Sequence, residues 1–228
     1  MVGLLGSSWE QILFGTVLPV LLVALSASFH EFAHGYVAYR CGDSTAKEQG
    51  RLTLNPLAHI DPFGSVLLPL LMSLSGLGVV FAFAKPVPVD YSRLRRGDRD
   101  AVAVALAGPG ANLIQAVLGA ILWRLLVLGL RDGLALPPEL GYVLSMYVLI
   151  NLNLMFFNLI PLPPLDGSKV IGPLLPPKAR LAYLRFQPYA IFVLMVVLYL
   201  LPHILGFDVL GMYLDATAGR LYDLLLRF

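Results

Sequence analysis

Residues 9–39 form an apolar run that carries two acids, Glu10 and Glu31, and no lysine or arginine. A bilayer core is crossed by about 20 such residues in helical form. A run of this length is therefore a membrane helix before it is anything else. The whole chain agrees: 58% of its 228 residues are hydrophobic and 13% are charged. Soluble domains sit near about 45–50% and about 25%, and the mean hydropathy here is +0.79. No basic residue precedes Arg40, so the start lacks the basic end of a secretory signal and is expected to be retained. A net charge of +2 gives no reason to expect a nucleic-acid partner. The single cysteine, Cys41, excludes a disulfide framework and argues against a thiolate metal cluster.

Further apolar stretches follow at residues 100–130, broken near Gly108-Pro109-Gly110, then 138–160, 188–201 and 209–226. Residues 63–74 are too short to span and read as a re-entrant helix. Arg51–Asn55 alternates like a short strand, and Val79–Ala84 is rich in β-formers. The expected fold class is membrane all-α: a multi-pass helical bundle of about 5 crossings plus a re-entrant helix, with a small membrane-associated β element. Residues 1–228 read as one integral-membrane domain, without internal repeats. Lysine and arginine concentrate in residues 85–99 and 161–187, which places both loops on the cytoplasmic side.

Within the first run stands His30-Glu31-Phe32-Ala33-His34. Residues i and i+4 of a helix share a face, so two imidazoles there can hold one metal ion. The neighbouring Glu31 can take a proton from a water that the metal activates. Such a site needs a third protein ligand. Asp166 is the best candidate, as the sole acid between Glu139 and Asp208 and following a proline-rich break at residues 161–164. With zinc bound, Asp166 and Glu31 bring the local formal charge to zero, which matters where unpaired charge is costly. Asp166-Gly167 is also what an ordinary turn looks like.

HEFAH in an apolar helix, AGPGAN at 107–112 and NLIPLPPLDG at 158–167 together resemble the site-2 protease family of intramembrane zinc metalloproteases. RLTLNPLAHIDPFG at 51–64 and AKPVPVD at 84–90 are similar to its compact bacterial and archaeal branch, which lacks a soluble insert. The resemblance implies hydrolysis of peptide bonds in transmembrane segments, with His30, His34 and Asp166 holding one Zn2+ per chain and Glu31 as base. It implies that Asn158 and Asn112 position substrate or stabilise the oxyanion. The implied partners are a single-span membrane protein substrate and the lipid bilayer, while the oligomeric state stays open.

Rival readings remain for several residues. The same ligands would serve a metal transporter or a catalytically silent scaffold, but a transporter needs ionisable groups along a path rather than at one depth. Asn151, Asn153 and Asn158 are candidates for a water channel to the site. Asn112 can instead satisfy backbone freed by Pro109, and Asn158 can bridge helices. His59 reads as a surface or structural histidine, His203 as interfacial and Cys41 as inert. The segment 79–84 either packs or pairs with an unwound substrate strand.

Overall fold

The computed structural model describes residues 8–59, 61, 85–133, 135, 137–206 and 208–227. They are largely helical. A short helix α1 (Ser8–Ile12) passes through a π-helical turn, Leu13–Val17, into α2 (Leu18–Cys41). Pro19, which has no N–H to give, lies inside this continuous helix just where the π-helical turn passes into α2. Gly42 ends α2 in a left-handed conformation, φ 116°, and its N–H closes on Ala38 and Tyr39 oxygens. After a single turn α3 (Thr45–Glu48), the next long helix is α4 (Asp98–Arg131). There follow α5 (Pro138–Asn158), the short α6 (Asp166–Ile171) and α7 (Pro177–Met195), which continues through a π-helical stretch into α8 (Leu201–Leu205). The last elements, α9 (Val209–Leu214), a π turn and α10 (Arg220–Leu226), form one continuous helical rod.

Four stretches among the described residues are long and apolar enough to cross a membrane: Leu13–Cys41, Asp98–Arg131, Glu139–Asn158 and Pro177–Leu198. The protein is an integral membrane protein. The expected fifth crossing, 209–226, is helical but carries Asp215, Arg220 and Asp223 and does not qualify. Its Ala218 and Leu226 instead pack on Ala116, Ala120, Val148 and Leu152 in the main apolar core.

Helix α4 is the centre of the bundle and packs against α2, α5, α6 and α10. Apart from Val104, Pro109 and Leu126, its buried face is made of small or polar residues, among them Ala105, Gly108, Asn112, Ala116, Gly119 and Ala120. The buried stripe of α2 is Ser26, His30, His34 and Ala38, spaced by four. Val20, Leu21, Ile114, Leu122 and Leu125 lie exposed on the outside. Small residues inward and large apolar residues outward is the arrangement lipid favours, because close backbone approach supplies the packing energy.

The structure departs from sequence expectation in three further places. Helix α4 is not broken at Gly108-Pro109-Gly110; Pro109 lies inside it. In an apolar surrounding, ending a helix exposes several backbone groups, whereas a proline removes one N–H. The fourth long helix begins at Pro177 rather than near 188, because its charged first turns (Lys178, Arg180, Arg185) hide it from an apolar scan. The small β element is not supported: no strand occurs among the described residues, and Arg51–Asn55 is irregular. That segment has local ties instead: Arg51 N–H reaches Ala46 O, and Asn55 caps the turn Pro56–Ala58. The expected re-entrant helix at 63–74 and strand at 79–84 lie outside the described residues.

Two polar clasps organise one end of the bundle. Asp43 is fully buried and accepts from Thr45 N (3.0 Å) and Asp90 N (2.8 Å), tying the end of α2 to the segment 85–90. Arg180 grips Asp98 with both terminal nitrogens, at 2.6 and 2.9 Å, joining the starts of α7 and α4.

Candidate metal centre

One turn of α2 separates His30 from His34, and both rings face α4. Their centroids lie 4.6 Å apart at an interplanar angle of 81°. Asp166 arrives from the far side as the first residue of α6. The loop before it folds tightly onto the end of α5, where a Cβ on Gly167 would collide with the backbone oxygens of Leu159 and Ile160. Glycine at 167 is thus what lets the carboxylate reach the histidines.

Three ligand atoms converge. Asp166 Oδ2 is 3.1 Å from His30 Nε2 and 3.0 Å from His34 Nε2, and the two Nε2 atoms are 3.0 Å apart. All three residues are buried. Tetrahedral zinc with ligand distances of about 2.0–2.1 Å separates neighbouring ligand atoms by about 3.3 Å, so this triangle has the size of such a site. Gly108 supplies a second fit. A Cβ at that position would fall 2.5 Å from His30 Nε2 and even nearer His34 Nε2. The absent side chain leaves a cradle open against both Nε2 atoms, where an ion could sit.

The outer atoms of the ligands are also held. His34 Nδ1 lies 2.7 Å from the Val104 carbonyl, and His30 Nδ1 lies 2.5 Å from Asn112 Oδ1. Asp166 Oδ1 faces Lys169 Nζ at 3.3 Å. Metal-binding histidines almost always have such second partners. Glu31, half-buried beside His30, accepts at Oε2 from the backbone N–H of Val87 at 2.7 Å. Val87 is itself pressed over α2 at Gly35, where a Cβ would meet Val87 Cγ1 at 2.9 Å. The segment 85–90 is a strap across the helix that carries Glu31.

The structure thus brings together His30, His34 and Asp166. Asn112 joins them from behind, in contact with His30 rather than in the space before the ligands. Asn158 stands apart: its amide donates to Leu154 O in its own helix. Asn151, read from sequence as a channel residue, is fully buried with its amide committed to Ser26, Tyr147 and Asn112. His59 is buried and bonded to Thr53 O, as a structural histidine would be. Sequence reasoning missed the Val87 N–H and the Gly108 cradle. Only the latter had a visible signal, a glycine beside the proline of AGPGAN.

A helical membrane protein with two histidines and a carboxylate closing on one buried point belongs to the class of membrane proteins built to hold a metal ion between their helices. Comparison with known proteins narrows this. Residues 127–201, which include Asp166, match the model of peptidase family M50. The chain is 41% identical over 212 residues to YwhC of Bacillus subtilis (strain 168), provisionally named a zinc metalloprotease, covering 92% of each chain. It is 32% identical to Rip2 of Mycolicibacterium smegmatis over 80% of this chain and 68% of that one. Against Rip2 of Mycobacterium tuberculosis the identity is 30%, over 89% and 75%. Both Rip2 proteins carry the same provisional name. No solved structure matches. The chain belongs to peptidase family M50, the site-2 proteases. It is an intramembrane zinc metalloprotease.

Proposed function

We propose that this protease cuts peptide bonds within the transmembrane segment of single-span membrane proteins, using the HExxH motif at 30–34 as its catalytic core. The observation that carries the reading is the triangle of His30, His34 and Asp166 around the Gly108 cradle, with Glu31 beside it. Zinc bound there would act as a Lewis acid and make a water nucleophilic near neutral pH. The protein's part is to place and move protons. Glu31, anchored through Oε2 by Val87 N–H, keeps Oε1 to take a proton from the attacking water. It then returns that proton to the amine nitrogen as the C–N bond breaks. Each turnover consumes one water and leaves Glu31 as it began.

Asn158 remains the side chain proposed to meet the substrate backbone or the developing oxyanion. It ends α5, at the start of the loop that delivers Asp166, and its amide carries a second N–H beyond the one given to Leu154. We place residues 85–99 and 161–187, two loops with the charged first turns of α4 and α7, at the cytoplasmic face of a prokaryotic membrane. Their basic residues support this, as does the Arg180–Asp98 clasp, which holds the two loops at the same end of the bundle.

The test is cleavage of a single-span membrane substrate in detergent by wild type and Glu31→Gln, with zinc measured in both. Cleavage by wild type, and a variant that keeps its zinc but does not cut, is expected. Equal cleavage by both would remove Glu31 from the mechanism. Zinc binding without cleavage of any substrate, together with metal transport in vesicles, would favour a transporter with the same ligands.

A further inference from the structure

Behind His30 lies a connected set of buried amides that the hydrolysis does not use. Asn112, Asn151 and Ser26 have no solvent exposure, in the middle of α4, α5 and α2. Their orientation can be worked out from one end. The backbone oxygen of Tyr147 only accepts, so the NH2 of Asn151 faces it, at 3.0 Å, and also reaches Ser26 Oγ at 2.9 Å. Asn151 Oδ1 therefore points the other way, to Asn112 Nδ2 at 2.9 Å. That leaves Asn112 Oδ1 for His30 Nδ1, at 2.5 Å. An amide oxygen accepts, so Nδ1 of His30 must carry the hydrogen. A neutral imidazole with its hydrogen on Nδ1 presents a lone pair at Nε2, the atom that faces His34 and Asp166. Reversing either amide would set like groups against each other where no water can intervene, which is costly in a buried site.

His34 reaches the same state by a different route. Its Nδ1–H donates to the Val104 carbonyl, part of the α4 backbone. His30 is the ligand whose Nδ1 meets a side chain, Asn112, rather than a backbone carbonyl. We infer that Asn112 and Asn151 are positioning residues: an amide relay from the Tyr147 carbonyl fixes His30 as a lone-pair donor and so sets the protein's affinity for zinc. This rests on the metal centre proposed above. The competing account is that the amides merely bridge α2, α4 and α5, as polar groups in membrane helices often do.

The two accounts separate by rescue. Asn112→Leu, Asn112→Asp and Asn151→Leu would be purified in detergent beside wild type. Three quantities would be read: zinc affinity by competition with a chromophoric chelator, the visible spectrum of the cobalt(II)-loaded protein, and thermal stability without metal. Asn112→Leu should lower zinc affinity by about 10–100-fold, the usual cost of losing a second partner, and shift the cobalt spectrum. Asn112→Asp keeps an acceptor for His30 Nδ1–H but cannot donate to Asn151. It should recover most of the affinity while remaining destabilised without metal. Asn151→Leu should fall between wild type and Asn112→Leu. Should Asn112→Leu fail to fold, Asn112→Asp against Asn151→Leu carries the same comparison. Wild-type affinity and spectrum in Asn112→Leu, or losses that track stability alone in every variant, would overturn the inference and leave the proposed function standing. A wild type that takes up no metal would overturn both.

Discussion

Glu31 Oε2 accepts a 2.7 Å hydrogen bond from the backbone N–H of Val87, a residue 56 positions further along the chain. Glu31, the proposed base, is thus aimed by a peptide group of the strap 85–90, not by a side chain. A hydrogen bond to a charged acceptor contributes about 1.5–3 kcal/mol. Val87→Pro, between Pro86 and Pro88, removes that one donor and keeps an apolar side chain of similar size. The expected outcome is a fall in kcat of about tenfold or more with zinc content unchanged, read from turnover and metal analysis on the same preparation.

Gly108 should tolerate no side chain. The Cβ of Gly108→Ala would fall 2.5 Å from His30 Nε2, in the space assigned to the metal. Loss of zinc with little loss of helicity is expected, whereas the nearby Gly110→Ala, which would meet nothing within 4 Å, should retain the metal. Metal content and circular dichroism of the two variants give the comparison.

The Asp43 clasp is a stability element. Asp43→Ala leaves the Asp90 and Thr45 N–H groups without their acceptor. A cost of about 1–3 kcal/mol per unsatisfied group is expected where water cannot replace it. Thermal unfolding in detergent should show a lower Tm, and protease should cut the segment 85–97 sooner.

Acid should loosen the same end of the molecule. The Ser44 hydroxyl, with help from Arg93, holds the Glu48 carboxyl below its usual pKa, and Ser92 does the same for Asp90. A depressed folded pKa means stability that is present above the unfolded value and lost as pH falls through the folded one. Both groups are exposed, so the effect is small and begins below about pH 4. Limited proteolysis at graded pH should show opening of 85–97 in acid, and Arg93→Ala should raise the pH at which it begins.

Substrate choice should follow helix stability. A helix hides its carbonyls in i to i−4 bonds, so a transmembrane segment must unwind before Glu31 and its water can reach it. Substrates with glycine or proline near the cut should be cleaved faster than a poly-leucine segment of equal length. Equal rates would remove unwinding from the account.

How far the sequence reaches depends on whether a feature is local. His30 and His34 are legible because four residues is one helical turn, and Asp166 because it is the lone acid in a long apolar region. Asn112 shows only that a polar group is buried; which partner it takes depends on how α2 and α5 pack against α4. Val87 leaves no trace, since every residue but proline offers an N–H. Local rules also misled at Pro109, which suggests a helix break in water but lies inside α4 in a lipid-facing bundle. They misled at Pro177–Arg185 too, where charges at the membrane surface conceal the start of an otherwise apolar helix.

The central claim is that His30, His34 and Asp166 hold one catalytic zinc ion. Zinc stoichiometry of the detergent-purified protein, measured beside His34→Ala and Asp166→Ala, tests it most directly. About one zinc per wild-type chain, lost or greatly weakened in both variants, is the predicted result. A wild type without zinc after metal loading, or an Asp166→Ala protein that binds it as tightly as wild type, would contradict it.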